Sequence, residues 1–326
     1  MTATRLPTHD GVVAAAQAVA SILPPTPLLP AEILGKRCWV KAENLQPIGA
    51  FKIRGGWWRL SNLTDEERKA GVVAVSSGNH AQGVAWAARR LGISATIVMP
   101  RDAPQVKLDN TRALGAKVVL YERPGEDRDA VAAKLIEERG GVLVHAFGDP
   151  WVIEGQGSSG IEITKQLGRQ PSRVVACCGG GGLAAGLGLA CPDADLYVVE
   201  PTGWDMVGQA LEAGKLVQVA KPAPTTICDA LQPDVTKQLN LDLLSGRAEP
   251  GVSVTDDEVR TAQRWAFANL RLVIEPGGAA ALAAALAGKV PLDEGTVLMI
   301  TGGNADPVRF AETLAGAEAD TAPVGA

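Results

Sequence analysis

Short apolar runs alternate with amphipathic stretches along most of the chain, and Gly or Pro often ends a stretch. Short apolar runs between such breakers are typical of buried strands, and longer stretches with one apolar face are typical of helices. In the first half of the chain, this pattern predicts strands at 71–75, 95–99, 117–120 and 142–145 and helices at 79–91, 104–114 and 127–139.

A break in the pattern at about 147–150 is followed by a second block of the same kind. An irregular, proline-bearing stretch lies at 222–250. Around it, the block predicts strands at 173–178, 195–199 and 296–300 and helices at 256–271 and 277–288. Repeated strand–helix–strand units build parallel sheets with helices on both faces. We therefore expect an α/β protein with two open, mainly parallel, twisted sheets flanked by helices.

Composition narrows the class of protein. The 326 residues, 46% of them hydrophobic, suit a globular protein of about two domains. A net charge of −5 argues against a nucleic-acid partner or an anionic membrane surface. No apolar run is long enough to span a bilayer, and the N-terminus lacks the pattern of a signal peptide. The five cysteines have no CxxC or metal-ligand spacing, so we expect a cytoplasmic protein.

The first candidate for chemistry is Lys52, which follows Phe51 and a turn-rich segment at 46–49. A lysine that is shielded from water loses its charge more easily and can form a Schiff base with a carbonyl group. The alternative is a surface lysine whose aliphatic stem packs on the Phe51 ring. The pair alone does not separate the two interpretations, so the rest of the chain has to decide.

A second candidate is the glycine run that joins strand 173–178 to a helix, formed by Gly179, Gly180, Gly181 and Gly182. Glycines let backbone N–H groups approach a phosphate closely, and the helix N-terminus adds a favourable dipole. One alternative is a tight turn without a ligand. Another is the G-x-G-x-x-A fingerprint of dinucleotide-binding oxidoreductases, in which Glu200 at the end of the next strand would bind a ribose.

Two further loops follow predicted strands. The loop Ser76-Ser77-Gly78-Asn79-His80 places hydroxyl, amide and imidazole groups at a helix N-terminus, which suits a carboxylate. The alternatives are a serine N-cap and a structural histidine. The loop Thr301-Gly302-Gly303-Asn304 is either a simple turn or a site where one neutral hydroxyl meets a ring nitrogen or another polar group.

Taken together, a set of segments in this order resembles the fold-type-II pyridoxal-phosphate enzymes, in the branch of serine/threonine dehydratases and serine racemases: ENLQPIGAFKIRGG, SSGNHAQGVAWAA, CGGGGLAAG, IEPGGAAALAA and TGGN. The resemblance covers residues 25–309 and implies two domains with pyridoxal 5'-phosphate between them. The large cofactor-binding domain would comprise 1–65 and 148–326, and a small, mobile domain of 66–147 would carry the substrate loop. Such relatives are commonly dimers, so the resemblance also implies a homodimer.

The resemblance assigns cofactor roles residue by residue. Lys52 would hold the cofactor covalently and remove the Cα proton of the substrate, with Phe51 against the pyridine ring. Asn79 would hydrogen-bond the ring hydroxyl, and Thr301 would face the ring nitrogen. Glu275 matches the acid that the family has near the ring. The phosphate would lie in a cradle formed by Gly179, Gly180, Gly181, Gly182 and Leu183.

The substrate would be an amino acid whose carboxylate is received by Ser76, Ser77, Asn79 and His80. The implied reaction is β-elimination of a 3-hydroxy amino acid such as L-threonine or L-serine, which yields a 2-oxo acid and ammonia. Ser77 matches a serine that racemases use as a base on the opposite cofactor face, so racemisation of serine or aspartate is an alternative.

Two charged residues bear on further alternatives. Arg128 resembles an arginine that racemases of this branch aim at dicarboxylates, which would favour a 3-hydroxyaspartate substrate, although it also suits a solvated helix face. Glu200 matches one acid of a divalent-cation site, but Met206 occupies the position of the second acid, which puts the cation in doubt. An NAD-binding oxidoreductase is a more distant alternative, because it leaves Lys52 and Thr301 unexplained.

Overall fold

The computed structural model describes residues 5–103, 105–122 and 125–316. Its strands are β1 (Leu28–Ile33), β2 (Lys36–Ala42), β3 (Val72–Val75), β4 (Ala95–Pro100), β5 (Lys117–Tyr121), β6 (Val142–Leu143), β7 (Arg173–Cys177), β8 (Asp195–Pro201), β9 (Val252–Val254) and β10 (Thr296–Ile300). Its α-helices are α1 (His9–Ala20), α2 (Lys52–Ser61), α3 (Asp65–Ala70), α4 (Asn79–Leu91), α5 (Gln105–Ala113), α6 (Arg128–Arg139), α7 (Pro150–Leu167), α8 (Gly182–Ala190), α9 (Met206–Ala213), α10 (Gln238–Leu244), α11 (Asp256–Leu270), α12 (Pro276–Leu286) and α13 (Pro307–Ala315).

The strands form two separate sheets. The larger has the order β1-β2-β10-β7-β8-β9, with an antiparallel hairpin of β1 and β2 at one edge and parallel pairs elsewhere. Its central strands are buried because α7 and α8 cover one face and α11 and α12 the other. Strands buried on both faces need apolar residues at every position, as the run Val174, Val175 and Ala176 illustrates.

The smaller sheet has the order β5-β4-β3-β6, and all its pairs are parallel. Helices α4 and α5 pack on one face and α6 on the other. The predicted fold class is therefore confirmed. The division into a large domain of 1–65 and 148–326 and a mobile domain of 66–147 stays a prediction.

Most predicted elements match the structure within one or two residues at each end. Of the strand predicted at 142–145, only Val142–Leu143 pairs in the sheet, and Val144 adds one backbone bond to Val73. Pro104, predicted to begin a helix, lies outside the described residues. The stretch 222–250 contains α10, which the irregular pattern did not predict. Within the described ranges, no helix combines the length and apolar character needed to cross a membrane.

Glycines let the central helix α7 approach its neighbours closely. A Cβ atom on Gly155 would lie 2.6 Å from the Cα atom of Gly55 in α2. One on Gly157 would lie 2.5 Å from the carbonyl oxygen of Gly186 in α8. Any larger residue would force the helices apart. Because of these contacts, the first residues of α2 and α8 line the same cleft.

A second close contact joins α2 to α4, which lies against the smaller sheet. A Cβ atom on Gly83 would lie 2.7 Å from the carbonyl oxygen of Lys52, and one on Gly56 would lie 2.7 Å from the carbonyl oxygen of Gly83. The two helices therefore touch along their backbones. This contact places the N-terminus of α4, which follows the Ser76 loop, beside the N-terminus of α2.

A buried charge network fixes the first turn of α2. Arg54 is fully buried, and its Nε lies 2.7 Å from Glu43 Oε2 and its Nη1 2.8 Å from Glu162 Oε1. Lys41 Nζ lies 2.7 Å from the other oxygen of Glu162. Removing one member of such a buried pair costs about 3–5 kcal/mol, since the other charge is left uncompensated. The network therefore holds the helix turn that begins at Lys52.

Candidate active site

A cleft of about 810 Å³ lies at the carboxyl ends of β3, β6, β7 and β10, between the two sheets. This is the edge at which open parallel sheets bind ligands. Of the predicted site residues, Glu200 does not line the cleft and the rest do: Phe51, Lys52, Ser76, Ser77, Asn79, His80, Arg128, Gly179, Gly180, Gly181, Gly182, Leu183, Glu275 and Thr301. The structure thus brings together four loops that are far apart in sequence.

Lys52 is the first residue of α2, and its side chain points into this cleft. Its Nζ donates a 2.8 Å hydrogen bond to the carbonyl oxygen of Ala146 and lies 5.0 Å from the centroid of the Phe51 ring. Burial lowers the pKa of the Lys52 amine to about 8. A substantial fraction of the amine is therefore neutral near pH 8, as a nucleophile or a base requires.

The Ser76 loop enters α4 without a side-chain cap. Gly78 is the N-cap residue, and its backbone N–H donates to Ser76 Oγ at 3.1 Å. The serine N-cap interpretation is therefore wrong, because Ser76 braces its own loop and does not cap the helix. The first backbone N–H groups of α4 have no partner within the helix, and these groups favour an anion.

His80 is buried, and its imidazole is turned toward the smaller sheet. Nε2 lies 2.8 Å from the carbonyl oxygen of Val144, so Nε2 carries the proton and Nδ1 is an acceptor. Burial lowers the pKa of His80 to about 3, which keeps the ring neutral. An acceptor nitrogen does not bind a carboxylate. The group of His80 that suits a substrate carboxylate is therefore its backbone N–H, and the imidazole is structural.

Asn79 connects the two sheets across the cleft. Its Nδ2 donates to Glu275 Oε1 at 2.5 Å, and its Oδ1 accepts from Asn304 Nδ2 at 2.8 Å. Burial raises the pKa of Glu275 to about 7. Because an amide nitrogen carries two hydrogens, one hydrogen of Asn79 remains for a ligand such as a ring hydroxyl.

The glycine loop follows β7, and Gly181 adopts a left-handed φ of 87° that favours glycine. A Cβ atom on Gly180 would lie 2.3 Å from the Phe147 ring, so the loop has no room for side chains. Leu183 follows in the first turn of α8 and is buried. The arrangement leaves a narrow cradle of backbone groups at a helix N-terminus, which suits a phosphate.

Two residues hold this loop that sequence reasoning missed. Thr236 Oγ1 donates to the carbonyl oxygen of Gly180 at 2.8 Å, and Asn240 Nδ2 donates to the same oxygen. Asn240 Nδ2 also lies 3.0 Å from the carbonyl oxygen of Phe147. These bonds join the glycine loop to the segment that carries Ala146, the acceptor of the Lys52 amine.

His145 was also missed, although it ends a predicted strand as the other site loops do. Its Nδ1 accepts from the backbone N–H groups of Phe147 at 3.3 Å and Gly148 at 2.9 Å. Burial lowers the pKa of His145 to about 4, so the ring stays neutral and keeps these bonds. The imidazole therefore shapes the turn that presents the Ala146 carbonyl to Lys52.

Thr301, the residue after β10, is buried at the cleft wall. Its carbonyl oxygen accepts from the backbone N–H of Phe51 at 3.1 Å, and its Oγ1 lies 3.0 Å from Cys177 Sγ. Arg128, the first residue of α6, is exposed at the mouth of the cleft. Its binding of a dicarboxylate stays a prediction.

Glu200 is fully buried, and its carboxyl group is paired within the fold. Its two oxygens accept from the backbone N–H groups of Val207 at 3.0 Å and Gly208 at 2.8 Å, at the start of α9. Burial raises the pKa of Glu200 to about 8. In the part of the chain that the structure describes, no three His, Cys, Asp or Glu side chains gather as metal ligands. The carboxyl group accepts hydrogen bonds at the N-terminus of α9 and does not line the cleft, so a ribose-binding role is wrong. The divalent-cation role stays a prediction.

The cleft combines a lysine of lowered pKa with a glycine loop at a helix N-terminus, between two mainly parallel sheets, as expected for a pyridoxal-phosphate enzyme of fold type II. Residues 19–302 match the family model for "Pyridoxal-phosphate dependent enzyme", and the chain belongs to this family.

Known proteins of the family cover nearly the whole chain. It is 35% identical to a serine racemase from Schizosaccharomyces pombe over 95% of this chain and 98% of that protein. It is 36% identical to an L-threo-3-hydroxyaspartate ammonia-lyase from a Pseudomonas species over 96% of this chain and 100% of that protein. A solved threonine deaminase from T.th. superposes with a TM-score of 0.84 at 38% identity, over 92% of this chain and 99% of that one. The chain is thus an enzyme of the ammonia-lyase and racemase type.

Proposed function

We propose that this enzyme eliminates the 3-hydroxyl group of L-threonine or L-serine to give a 2-oxo acid and ammonia. The observation that carries the proposal is the Lys52 amine, which faces the cleft with a pKa of about 8 beside the phosphate cradle. Bound pyridoxal phosphate supplies an aldehyde that links to an amino group and withdraws electrons from Cα.

The residues present fit this cofactor. Lys52 would hold its aldehyde carbon, and Phe51 would pack against its ring. The glycine cradle, in which a Cβ atom on Gly180 or Gly182 would collide with Phe147, would take its phosphate. The free hydrogen of Asn79 would reach the ring hydroxyl, and Thr301 would face the ring nitrogen.

Proton transfer at Cα is assigned to Lys52. Its hydrogen bond to Ala146 O orients the amine, and a carbonyl does not stabilise a positive charge as a carboxylate does. The amine therefore returns readily to its neutral form and takes up the Cα proton. Glu275, with a pKa near 7, lies close enough to Asn79 to keep that amide fixed during the reaction.

The substrate carboxylate is assigned to the N-terminus of α4. The backbone N–H groups of Ser77, Asn79 and His80 are its donors, and Ser76 shapes the loop. The helix dipole adds to these hydrogen bonds, as it does for other anions at helix N-termini. This placement leaves the substrate Cα between the Ser76 loop and Lys52.

Racemisation is the first alternative, and the position of Ser77 favours it. Ser77 lines the cleft from the loop after β3, whereas Lys52 reaches it from the first turn of α2. Two bases that approach Cα from different sides invert its configuration, because one removes a proton and the other returns one.

A 3-hydroxyaspartate substrate is the second alternative, and Arg128 favours it. The guanidinium group is exposed at the mouth of the cleft and forms no ion pair with the carboxylates of residues 5–103, 105–122 and 125–316. A guanidinium group binds a second carboxylate in a bidentate way.

Residues 66–147 are proposed to move as the substrate binds, and the enzyme is proposed to act as a cytoplasmic homodimer. Large apolar side chains exposed around α11 and α13 support a subunit contact, namely Phe267, Val273 and Val308. Sedimentation equilibrium of the holoenzyme gives the subunit number, and a monomer at all concentrations would contradict the dimer.

A substrate panel tests the proposed reaction. The holoenzyme is incubated with L-threonine, L-serine and L-threo-3-hydroxyaspartate, and 2-oxo acid, ammonia and chiral composition are measured together. Equal amounts of 2-oxo acid and ammonia from L-threonine or L-serine are expected. Turnover of 3-hydroxyaspartate alone would replace the main proposal with the second alternative, and a change of configuration without ammonia would replace it with the first.

A further inference from the structure

We propose that the Cys177 thiol is a positioning residue that fixes the Thr301 hydroxyl as a hydrogen-bond donor toward the cofactor ring. The inference rests on the proposed function, in which Thr301 faces the ring nitrogen. The observation that supports the inference is the separation of 3.0 Å between Cys177 Sγ and Thr301 Oγ1 at the wall of the cleft.

The pair is held by the fold rather than by flexible side chains. Cys177 is the last residue of β7, and Thr301 directly follows β10, which pairs with β7 in the larger sheet. Cys177 is 5% exposed and Thr301 is 3% exposed. Both side chains are short and are packed at strand ends, so the backbone of the sheet keeps them in contact.

The chemistry of the two groups selects the direction of the hydrogen bond. A hydroxyl group has one hydrogen and two acceptor positions, whereas a thiol is a weak donor and a weaker acceptor than oxygen. Burial raises the pKa of Cys177 to about 11, so the thiol keeps its hydrogen. The S–H group therefore donates to Thr301 Oγ1, and the hydrogen of the hydroxyl remains available to the cleft.

This direction affects the ring nitrogen that Thr301 faces. If the Thr301 hydroxyl donates its hydrogen, its partner is an unprotonated pyridine nitrogen. If the hydroxyl oxygen accepts instead, its partner is a protonated pyridine nitrogen. Hydrogen bonds in series polarise one another, so the thiol strengthens the O–H group as a donor. Cys177 thus favours the neutral ring.

The infrared S–H stretching band of the apoenzyme tests the bond directly, without turnover. A donating thiol gives a band at lower wavenumber than a free thiol. We expect this shifted band to vanish in Cys177→Ala, to move to higher wavenumber in Thr301→Val, and to stay in Thr301→Ser. The matched control is Cys178→Ala, because Cys178 neighbours Cys177 on the opposite face of the strand and does not line the cleft.

A second measurement uses pyridoxal phosphate labelled with ¹⁵N in the ring. In the parent we expect the ¹⁵N signal of an unprotonated ring, and in Cys177→Ala a shift toward the protonated position. The dissociation constant of the cofactor should rise about fivefold in Cys177→Ala, as for the loss of one neutral hydrogen bond. Cys177→Ser, which supplies a hydroxyl donor, should restore both values.

The outcomes separate this inference from the proposed function. An S–H band that stays in place in Thr301→Val would overturn the inference, whatever the enzyme binds. A second outcome is an S–H band that shifts in Thr301→Val while the ¹⁵N signal is the same in the parent, Thr301→Val and Cys177→Ala. This outcome would show that Thr301 does not face the ring nitrogen. It would therefore also contradict the role assigned to Cys177.

Discussion

Lys52 Nζ donates a hydrogen bond of 2.8 Å to the carbonyl oxygen of Ala146, in the segment where the chain crosses from the smaller sheet to the larger one. In the ranges that the structure describes, no carboxylate pairs with this amine. Burial therefore dominates and lowers the pKa of Lys52 to about 8. The amine is oriented by a neutral group and stays reactive.

The first prediction concerns cofactor uptake by the apoenzyme. Only the neutral amine attacks an aldehyde, so the rate of absorbance change after mixing with pyridoxal phosphate should rise with pH, with its midpoint near pH 8. Below the midpoint, the rate should fall about tenfold per pH unit. Stopped-flow measurements between about pH 6 and 9 check this. A rate independent of pH in this range would contradict the lowered pKa of Lys52.

The second prediction separates the two reactions at Cα. Ser77→Ala should reduce racemisation by about 10²–10⁴-fold, the usual effect of losing a general base, while elimination changes by less than about fivefold. Chiral chromatography and a 2-oxo acid assay on the same samples measure both. The matched variant Ser76→Ala disturbs the loop, since Ser76 accepts from Gly78, and should reduce both reactions alike. An unchanged rate of racemisation in Ser77→Ala would contradict the role of Ser77 as a base.

The third prediction concerns the phosphate cradle. Thr236→Val and Asn240→Leu each remove one of the hydrogen bonds that the Gly180 carbonyl oxygen accepts, so the loop loses its fixed shape. The dissociation constant of pyridoxal phosphate should rise about tenfold, the cost of one unmade buried hydrogen bond, while that of pyridoxal, which lacks the phosphate, should change by less than about twofold.

Thr202→Val is the control for this experiment, because Thr202 Oγ1 also donates to a backbone carbonyl, that of Val254, but lies away from the loop. Fluorescence titration of each apoenzyme gives the constants. An equal rise in the dissociation constants of pyridoxal and pyridoxal phosphate would show that Thr236 and Asn240 support the fold and not the phosphate cradle.

The fourth prediction concerns Glu200. Its pKa is raised in the folded state, so the folded protein holds a proton that the unfolded chain has lost, and this contribution to stability disappears as pH rises toward about 8. Glu200→Gln cannot lose that proton. The melting temperature of Glu200→Gln relative to the parent should therefore increase between about pH 5 and 8.

The same comparison includes a chelator. Because both Glu200 oxygens accept backbone N–H groups, EDTA should leave the melting temperature of the parent unchanged. A melting temperature that falls with EDTA and recovers with a divalent cation would contradict this account of Glu200.

The sequence pattern predicted the strands that border the cleft because their determinants are local, whereas β1, β2 and β9 were not predicted. The apolar runs of β3, β7 and β10 and the polar or glycine residues directly after them were readable as strands followed by ligand loops. Within the larger sheet, the alternation of strands and helices places the carboxyl ends of β7 and β10 at one edge. Only the family resemblance implied that the loop after β3, in the smaller sheet, meets them. The prediction of these strands and loops required no knowledge of contacts between residues on opposite sides of the cleft.

The remaining features depend on contacts between distant parts of the chain. Thr236 and Asn240 lie in a stretch that reads as irregular, and their bonds to Gly180 span 56 and 60 residues. The backbone partners of Glu200 in α9 could not be predicted, because backbone groups leave no signal in the side-chain pattern. The His80 tautomer likewise depends on a carbonyl 64 residues away.

The most direct test of the central claim is chemical fixation of the cofactor. The yellow holoenzyme is reduced with borohydride, digested and analysed by peptide mass spectrometry, with Lys52→Ala as the control. We predict one phosphopyridoxyl group, on Lys52, and none in the variant. A label on another lysine of the cleft, such as Lys107, Lys221 or Lys237, or a Lys52→Ala variant that still turns over amino acids at the parent rate, would contradict the account.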